Sequence, residues 1–246
     1  MITIVILNYN RPDNIKNTIL PQLSKYKIVN EIIISHGNIS TYFSTPEYIN
    51  IKHFYDSDKN EKLGVSLRFE RGIEASNDCV LFIDDDKLPS EEYVNTLYSK
   101  FIKDPIQIIA MEKRFISPTG YFYYLPKLKR LLHDKPFFSI FYKRIVLTQV
   151  MMTNKKCCQD FLDNKFKIEN ITTKKTVKPI WNGEDIIFNV IFIKKYRKKP
   201  IHIPPSKKDG TVTDLPSPYA ISDNPDHKKY RDLLSKKSYF IYKLFF

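Results

Sequence analysis

The chain has 246 residues, 42% of them hydrophobic and 14% aromatic, with 15 prolines against 6 glycines. These proportions are those of a globular protein and exclude a disordered chain, and the proline excess points to stiff loops rather than flexible linkers. A formal net charge of +13 directs attention to polyanionic partners (nucleic acid, anionic membrane, diphosphate groups), although a lysine-rich composition explains the excess equally well.

Three cysteines, Cys79, Cys157 and Cys158, lack metal-ligand spacing, and neighbouring cysteines rarely meet disulfide geometry. A reduced, cytoplasmic protein is therefore expected. The apolar run near the N-terminus is broken at Asn8 and Asn10, too early for a signal peptide or a membrane anchor.

Residues 2–7 (ITIVIL) form a continuous apolar, β-branched run of the kind buried on both faces of a parallel sheet. Residues 8–12 turn the chain, and a helix is predicted next, with Ile15, Ile19, Leu20 and Leu23 at helical spacing and a kink at Pro21. Residues 31–35 (EIIIS) read as a second buried strand, closed by His36-Gly37-Asn38, and residues 51–55 as a third. Residues 64–76 read as a helix on the spacing of Val65, Phe69 and Ile73. Residues 79–83 (CVLFI) form a strand that runs into Asp84-Asp85-Asp86. Ser90 is placed to cap a helix with Glu91 and Glu92 in its first turn and Val94, Leu97, Tyr98 and Phe101 as its apolar stripe. Residues 106–110 supply another strand.

The second half is less regular. Residues 115–125 are aromatic-rich, and 137–152 are apolar with strand character. Residues 184–194 are helical on the spacing of Ile187, Val190, Ile191 and Lys194. Residues 204–218 form a loop by composition, and 230–246 interleave lysines with aromatic side chains. The alternation predicts an α/β fold, a mixed, mostly parallel sheet flanked by helices in a single domain. Ligands of such sheets bind beyond the carboxyl ends of the strands, where residues 8–12, 36–38 and 84–86 are expected to converge.

Three adjacent carboxylates after an apolar strand repel one another, so a divalent cation is expected among them. All-oxygen ligands suit Mn2+ or Mg2+, with Asp86 and Asp84 as the metal-side candidates and open positions for diphosphate oxygens. An acidic turn that caps the next helix is the competing explanation.

Arg68 and Arg71, three apart on one helix face, are candidates to grip the nucleotide diphosphate through forked hydrogen bonds. Asn8 and Arg11 at the same rim, with Asp84 and Asp85, complete the expected donor-binding set. A solvated basic face paired with Glu70 or Glu74 is the alternative for the arginine pair. Glu184-Asp185 opens a helix, where the dipole alone stabilises carboxylates. Its functional reading is an acid at a sugar's anomeric carbon. His202 is a metal-ligand candidate or a structural histidine. Lys207 and Lys208 either close over a diphosphate or stay solvated.

The order TIVILNYNRP, EIIIS, CVLFIDDD is similar to the first half of GT-A-fold glycosyltransferases, whose acidic cluster is an Asp-any-Asp metal motif. RIVLTQVMM resembles the LTGAAF-type segment of the exostosin-like glycosyltransferase domain, family 64. WNGEDIIFNVIF followed by KKPIHI resembles that family's Asn-Cys-Glu-Asp segment and its next strand. The resemblance implies a Rossmann-related GT-A-like domain over residues 1–246. Residues 1–110 would bind the nucleotide sugar, 111–205 the acceptor and the catalytic group, and 206–246 would form a loop and tail.

It also implies Mn2+ or Mg2+, a UDP-sugar donor, a glycan or other hydroxyl acceptor, and sugar transfer of the hexosyl or N-acetylhexosaminyl type. Asp84 and Asp86 match the metal motif, Asp185 the catalytic carboxylate with Glu184 beside it, and Arg11 and Arg68 basic residues near the nucleotide. Gly183 stands in place of the motif's cysteine, and Gln149 in place of the glycine of the LTG segment. His36-Gly37 replaces Trp-Asn, and the lumenal disulfide cysteines are absent. A cytoplasmic relative, microbial or viral, is expected rather than a Golgi enzyme.

Residues 121–124 offer stacking surfaces for an acceptor sugar or are simply core. Two other function classes remain open. A nucleotidyltransferase shares the metal-diphosphate logic, but no glycine-rich phosphate loop follows the first strand. A basic non-enzymatic binder of nucleic acid or a membrane surface would use the C-terminal lysines. Nucleic acid is disfavoured as a partner, and the lysine/aromatic tail brings peripheral membrane contact into view.

Overall fold

The computed structural model describes residues 1–45, 50–122, 142–172, 183–218 and 226–243. Its strands are β1 (Ile2–Asn8), β2 (Val29–His36), β3 (Ile51–Tyr55), β4 (Cys79–Ile83), β5 (Lys87–Pro89), β6 (Ile109–Ala110), β7 (Lys113–Ser117), β8 (Gly120–Phe122), β9 (Lys143–Val146), β10 (Val150–Asn154), β11 (Ile201–His202) and β12 (Val212–Asp214). Seven of them form one sheet in the order β11-β6-β10-β4-β1-β2-β3. Only β10 runs against the rest, paired antiparallel with both β4 and β6. The mostly parallel sheet anticipated from the alternating pattern is thus present.

Strand pleating sends alternate side chains to opposite faces, and both faces are dry. Ile2, Ile4 and Ile6 of β1 join Ile32, Ile34, Leu81 and Ile83 in one core layer. Val5, Ile33, Val80 and Phe82 belong to the other. The first layer also takes up Ile15, Ile19 and Leu23, and Val94 and Leu97 of the helix Glu91–Phe101. The second contains residues of the helices Leu67–Ile73, Lys155–Thr172, Glu184–Tyr196 and Asp226–Lys243. Ser90 caps the helix Glu91–Phe101, its side chain accepting from Tyr93 N at 3.2 Å.

Several elements differ from the sequence-based expectation. The irregularity foreseen at Pro21 is a π-helical turn over Ile15–Ile19, directly before the proline-containing turn Leu20–Leu23. The helix expected over 64–76 is a 3-10 turn, Gly64–Ser66, followed by Leu67–Ile73, and the polar helix Ser57–Leu63 precedes both. The strand expected over 106–110 is confined to β6.

The loop 204–218 contains β12, which pairs antiparallel with β5. Gly210 (φ +88°) lets that segment turn against the start of the helix Glu91–Phe101, since a Cβ there would lie 2.3 Å from Tyr93 N. The lysine/aromatic tail, as far as Lys243, belongs to the 18-residue helix Asp226–Lys243, and residues 244–246 lie outside the described residues. It packs on β7, β8 and the helix Glu184–Tyr196.

No helix among the described residues is long and apolar enough to cross a membrane. Cys79, Cys157 and Cys158 are free and buried. Tyr123, Tyr124, Trp181 and Asn182, all drawn into the sequence reading, lie outside the described residues.

Candidate active site

The carboxyl ends of β1, β2 and β4 meet at one rim. Asn8, which ends β1, is buried, and its Nδ2 contacts Thr41 O at 2.8 Å and His36 Nδ1 at 2.9 Å. Its amide nitrogen therefore ties the loop after β2 to β1, while its Oδ1 is buried without a partner.

The acidic triplet follows β4, where Asp84 N donates to Gln149 O at 2.8 Å. Each carboxylate has a different environment. Asp84 Oδ1 accepts from Arg68 Nη1 at 2.9 Å. Asp85 pairs with Arg11. Asp86 has one oxygen 3.8 Å from Arg11 Nη1, and the other, Oδ1, is buried with no hydrogen-bond partner.

The mutual repulsion expected to demand a cation is thus partly relieved within the chain, by two arginines. Burial pushes the Asp85 carboxyl up to about 6, with Asp84 adding to the rise and Arg11 opposing it. For Arg68, burial works against the charge, but Asp84 and Glu184 outweigh it and the guanidinium is held above its ordinary range.

Among the described residues no three His, Cys, Asp or Glu side chains converge on a point that could hold a metal ion. Asp86 Oδ1 is nonetheless a hard, buried and unshared oxygen donor. It fits an ion that takes one or two carboxylates and completes its shell with phosphate oxygens and water, as Mg2+ does in phosphate sites.

Arg68 links the triplet to the second acidic station. Besides Asp84, its Nη1 donates to Thr148 O at 3.0 Å, and the Thr148 hydroxyl donates to Glu184 Oε1 at 3.0 Å. Glu184 and Asp185 open the helix Glu184–Tyr196, both buried. Burial, reinforced by Asp185, raises the Glu184 carboxyl above its ordinary range.

Asp185 Oδ1 accepts from Ile186 N at 2.8 Å, and its Oδ2 accepts from Arg231 Nη2 at 2.6 Å. The same Arg231 nitrogen donates to Tyr121 OH at 2.9 Å, and the guanidinium stacks 4.3 Å from the Tyr121 ring centroid. Asp232 locks this arrangement from the next position, accepting from Tyr121 N at 2.8 Å. Asn189 bonds Val146 N and O at 3.0 and 2.8 Å, which fixes the acidic helix to β9. Gly183 (φ +94°) starts that helix, and a Cβ there would lie 2.5 Å from Leu234 Cδ2 of the C-terminal helix.

For three candidates the structure follows the alternative reading. Arg71 does not join Arg68 at the triplet: its Nε lies 2.9 Å from Asp56 Oδ2 and its guanidinium stacks 4.1 Å from the Phe54 ring. A buried guanidinium needs a buried counter-charge, and Asp56 at the end of β3 supplies it. His202 faces cations rather than the triplet. Burial, then Lys113 and Arg144, hold its imidazole down to about 4, and it belongs to no metal-holding group among the described residues. Tyr121, read as an acceptor-stacking surface or as core, is buried against Arg231. Lys207 and Lys208 are exposed in the segment before β12.

Sequence reasoning missed Arg231 and Thr148, and read Gln149 only as a departure from the LTG segment, whereas its side-chain Oε1 is also buried without a partner. For Arg231 a signal existed: Leu234, Ser238 and Ile241 recur at helical spacing, but small serines on the inner face blur the apolar stripe.

The sequence profile of the Glycosyl transferase family 64 domain matches residues 2–237. No curated protein sequence matches the chain. Among solved structures, the fold is similar to glucosyl-3-phosphoglycerate synthase from Mycobacterium tuberculosis in complex with Mn2+, uridine diphosphate and phosphoglyceric acid. That match has a TM-score of 0.50 at 13% identity and covers 93% of this chain and 75% of the other. The same enzyme with Mn2+, uridine diphosphate and glucosyl-3-phosphoglycerate matches with a TM-score of 0.52 at 14% identity, covering 96% and 80%. At such identities the likeness speaks to the fold, a GT-A arrangement.

Proposed function

The chain belongs to the glycosyl transferase family 64 domain family and is a glycosyltransferase, and on that premise we propose that it moves a sugar from a UDP-sugar to a hydroxyl of a glycan or similar acceptor, with Mn2+ or Mg2+ at the acidic triplet. The observation that carries this reading is the bonded path Asp84–Arg68–Thr148–Glu184, which joins the triplet to the acids of the helix Glu184–Tyr196. Sugar transfer needs two such stations, one at the leaving diphosphate and one at the anomeric carbon. The uridine diphosphate and Mn2+ of the structural neighbours support the donor and the metal.

In this reading Asp86, through its unshared Oδ1, and Asp84 hold the ion, which when bound neutralises charge on the departing diphosphate. Arg11 and Arg68 keep the triplet from excess negative charge and present cations to the phosphates. Asp185, held by Arg231, faces the anomeric carbon as that carbon's bond to the diphosphate oxygen breaks, the acceptor oxygen bonds there and the acceptor's proton passes to the released diphosphate. A carboxylate at that point stabilises the positive charge that develops on the sugar. The unpartnered oxygens of Asn8 and Gln149 at the same rim suit hydroxyl or amide donors of the nucleotide sugar. Residues 1–110 then serve mainly the donor and 111–205 the acceptor and Asp185. The helix Asp226–Lys243 completes the site through Arg231.

Product analysis with a panel of nucleotide sugars, with and without Mn2+, tests the reading. Release of free nucleoside diphosphate that stops in EDTA is the expected result. Pyrophosphate release, or full activity in EDTA, overturns it.

A further inference from the structure

The helix Asp226–Lys243 has two faces with different work. Arg231, Leu234, Ser235, Ser238 and Tyr239 point inward and are buried. Outward, Lys228, Lys229 and Lys236 are exposed, with Leu233 at 47% and Phe240 at 60% of their surface open. Lys229, Leu233, Lys236 and Phe240 follow one stripe of the helix, at spacings of four, three and four, over about 16 Å, with Lys228 beside its start.

From Lys228 to Phe240 the sequence contains a single carboxylate, Asp232, and that group is turned to Tyr121 N. The stripe therefore presents positive charge interrupted by two large apolar side chains. Beyond it the sequence becomes more apolar: five of the residues 239–246 (YFIYKLFF) are aromatic, with one lysine among them.

We propose that this outer stripe docks the protein on an anionic lipid surface, lying in the interface rather than crossing it. Lysines attract the negative leaflet and keep their ammonium groups in the headgroup layer while their stems lie along apolar surface. Leu233 and Phe240 enter the acyl boundary, as apolar residues of interfacial helices do. No described helix is long and apolar enough to span, which agrees with a helix that rests on the surface. Charge alone would suit nucleic acid as well. The leucine and phenylalanine interleaved with the lysines favour lipid, because a phosphodiester backbone offers no apolar phase to receive them. The inner face of the same helix supplies Arg231 to Asp185, so docking there sets the acidic site close to acceptors held in or on the membrane. The inference does not depend on which sugar is transferred.

Full-length protein is sedimented with vesicles of phosphatidylcholine alone and of phosphatidylcholine with phosphatidylglycerol. Binding is expected to the anionic vesicles only, and to weaken as salt rises. Leu233→Ser with Phe240→Ser, and separately Lys228→Glu, Lys229→Glu and Lys236→Glu together, are each expected to lower partitioning by roughly tenfold or more. Circular dichroism and nucleotide-sugar turnover in solution should match the parent, since none of these side chains faces the site. Equal binding to neutral vesicles, or binding that survives both sets of substitutions, overturns the proposal. So does a parent that ignores vesicles but dimerises through Leu233 and Phe240, or that binds duplex nucleic acid instead.

Discussion

Arg231 and Asp185 are 46 residues apart in sequence, yet Nη2 of the one lies 2.6 Å from Oδ2 of the other, and both side chains are buried. The pair makes the C-terminal helix part of the acidic site rather than an appendage. Removing one partner of a buried pair leaves the other uncompensated.

Arg231→Ala is accordingly expected to cost about 3–5 kcal/mol of stability, and to lower kcat by about two to three orders of magnitude, a barrier rise of about 3–4 kcal/mol. Arg231→Lys keeps the charge but loses the forked geometry that spans Asp185 and Tyr121, so it should recover only part of the rate. Turnover in both variants, beside thermal unfolding to separate folding from chemistry, checks this. A fully active Arg231→Ala enzyme would remove Asp185 from its assigned place.

Asp86→Asn should behave differently. Its Oδ1 has no partner within the chain, so the substitution leaves few bonds unmade and should shift stability by about 1 kcal/mol or less. Metal affinity should fall sharply. The expected readout is a Mn2+-dependent rise in melting temperature with UDP in the parent that is lost in the variant, because only native-state ligands raise it.

The two arginines of the helix Leu67–Ile73 separate function from structure. Arg71→Ala strands Asp56, which also accepts from Ser35 Oγ at 2.7 Å, and should cost about 3–5 kcal/mol of stability while leaving the donor KM unchanged. Arg68→Ala should destabilise as well, and in addition raise the donor KM, since its guanidinium sits between the two acidic stations. Denaturant midpoints and donor titrations on both variants make the comparison. An unchanged donor KM in Arg68→Ala would count against the rim as the diphosphate site.

Stability should also carry a histidine signature. His36 is fully buried, its Nδ1 is 2.9 Å from Asn8 Nδ2 and its Nε2 is 2.9 Å from His53 Nδ1. An amide N–H facing Nδ1 favours the neutral ring. Burial, then the neighbouring His53, push the imidazole down to about 4. A depressed histidine pKa means that the unfolded chain binds the proton first. Its contribution is therefore fully present above about pH 6.5 and is lost as pH falls towards 4, by up to about 3 kcal/mol. His202, also held down to about 4, adds in the same direction, and Asp85, pushed up to about 6, works with the opposite sign in part of the same window, so the total slope mixes them. The difference between the parent and His36→Asn, followed by urea unfolding from pH 7.5 to 4.5, isolates the histidine. The parent should lose stability faster than the variant.

The parallel strands, the acidic triplet after β4 and the acidic start of the helix Glu184–Tyr196 were legible because their signals are local. A β-branched run, a capping serine and a cluster of like charges each reveal themselves within a few residues. Family resemblance then related the triplet to Glu184-Asp185, though not how the chain connects them. The helix Ser57–Leu63 was not legible, being polar up to its last residue, nor was β12, which is a strand only because the edge of β5 accepts it.

What the sequence determined by itself is the composition of the site: which acids lie at the ends of which elements, and that a mostly parallel sheet carries them. The folded chain decided the pairings, Arg68 to Asp84 but Arg71 to Asp56, and Arg231 to Asp185. Periodicity records which way a residue faces on its own element. The partner a buried charge meets depends on how separate elements pack, and no spacing along one segment encodes that.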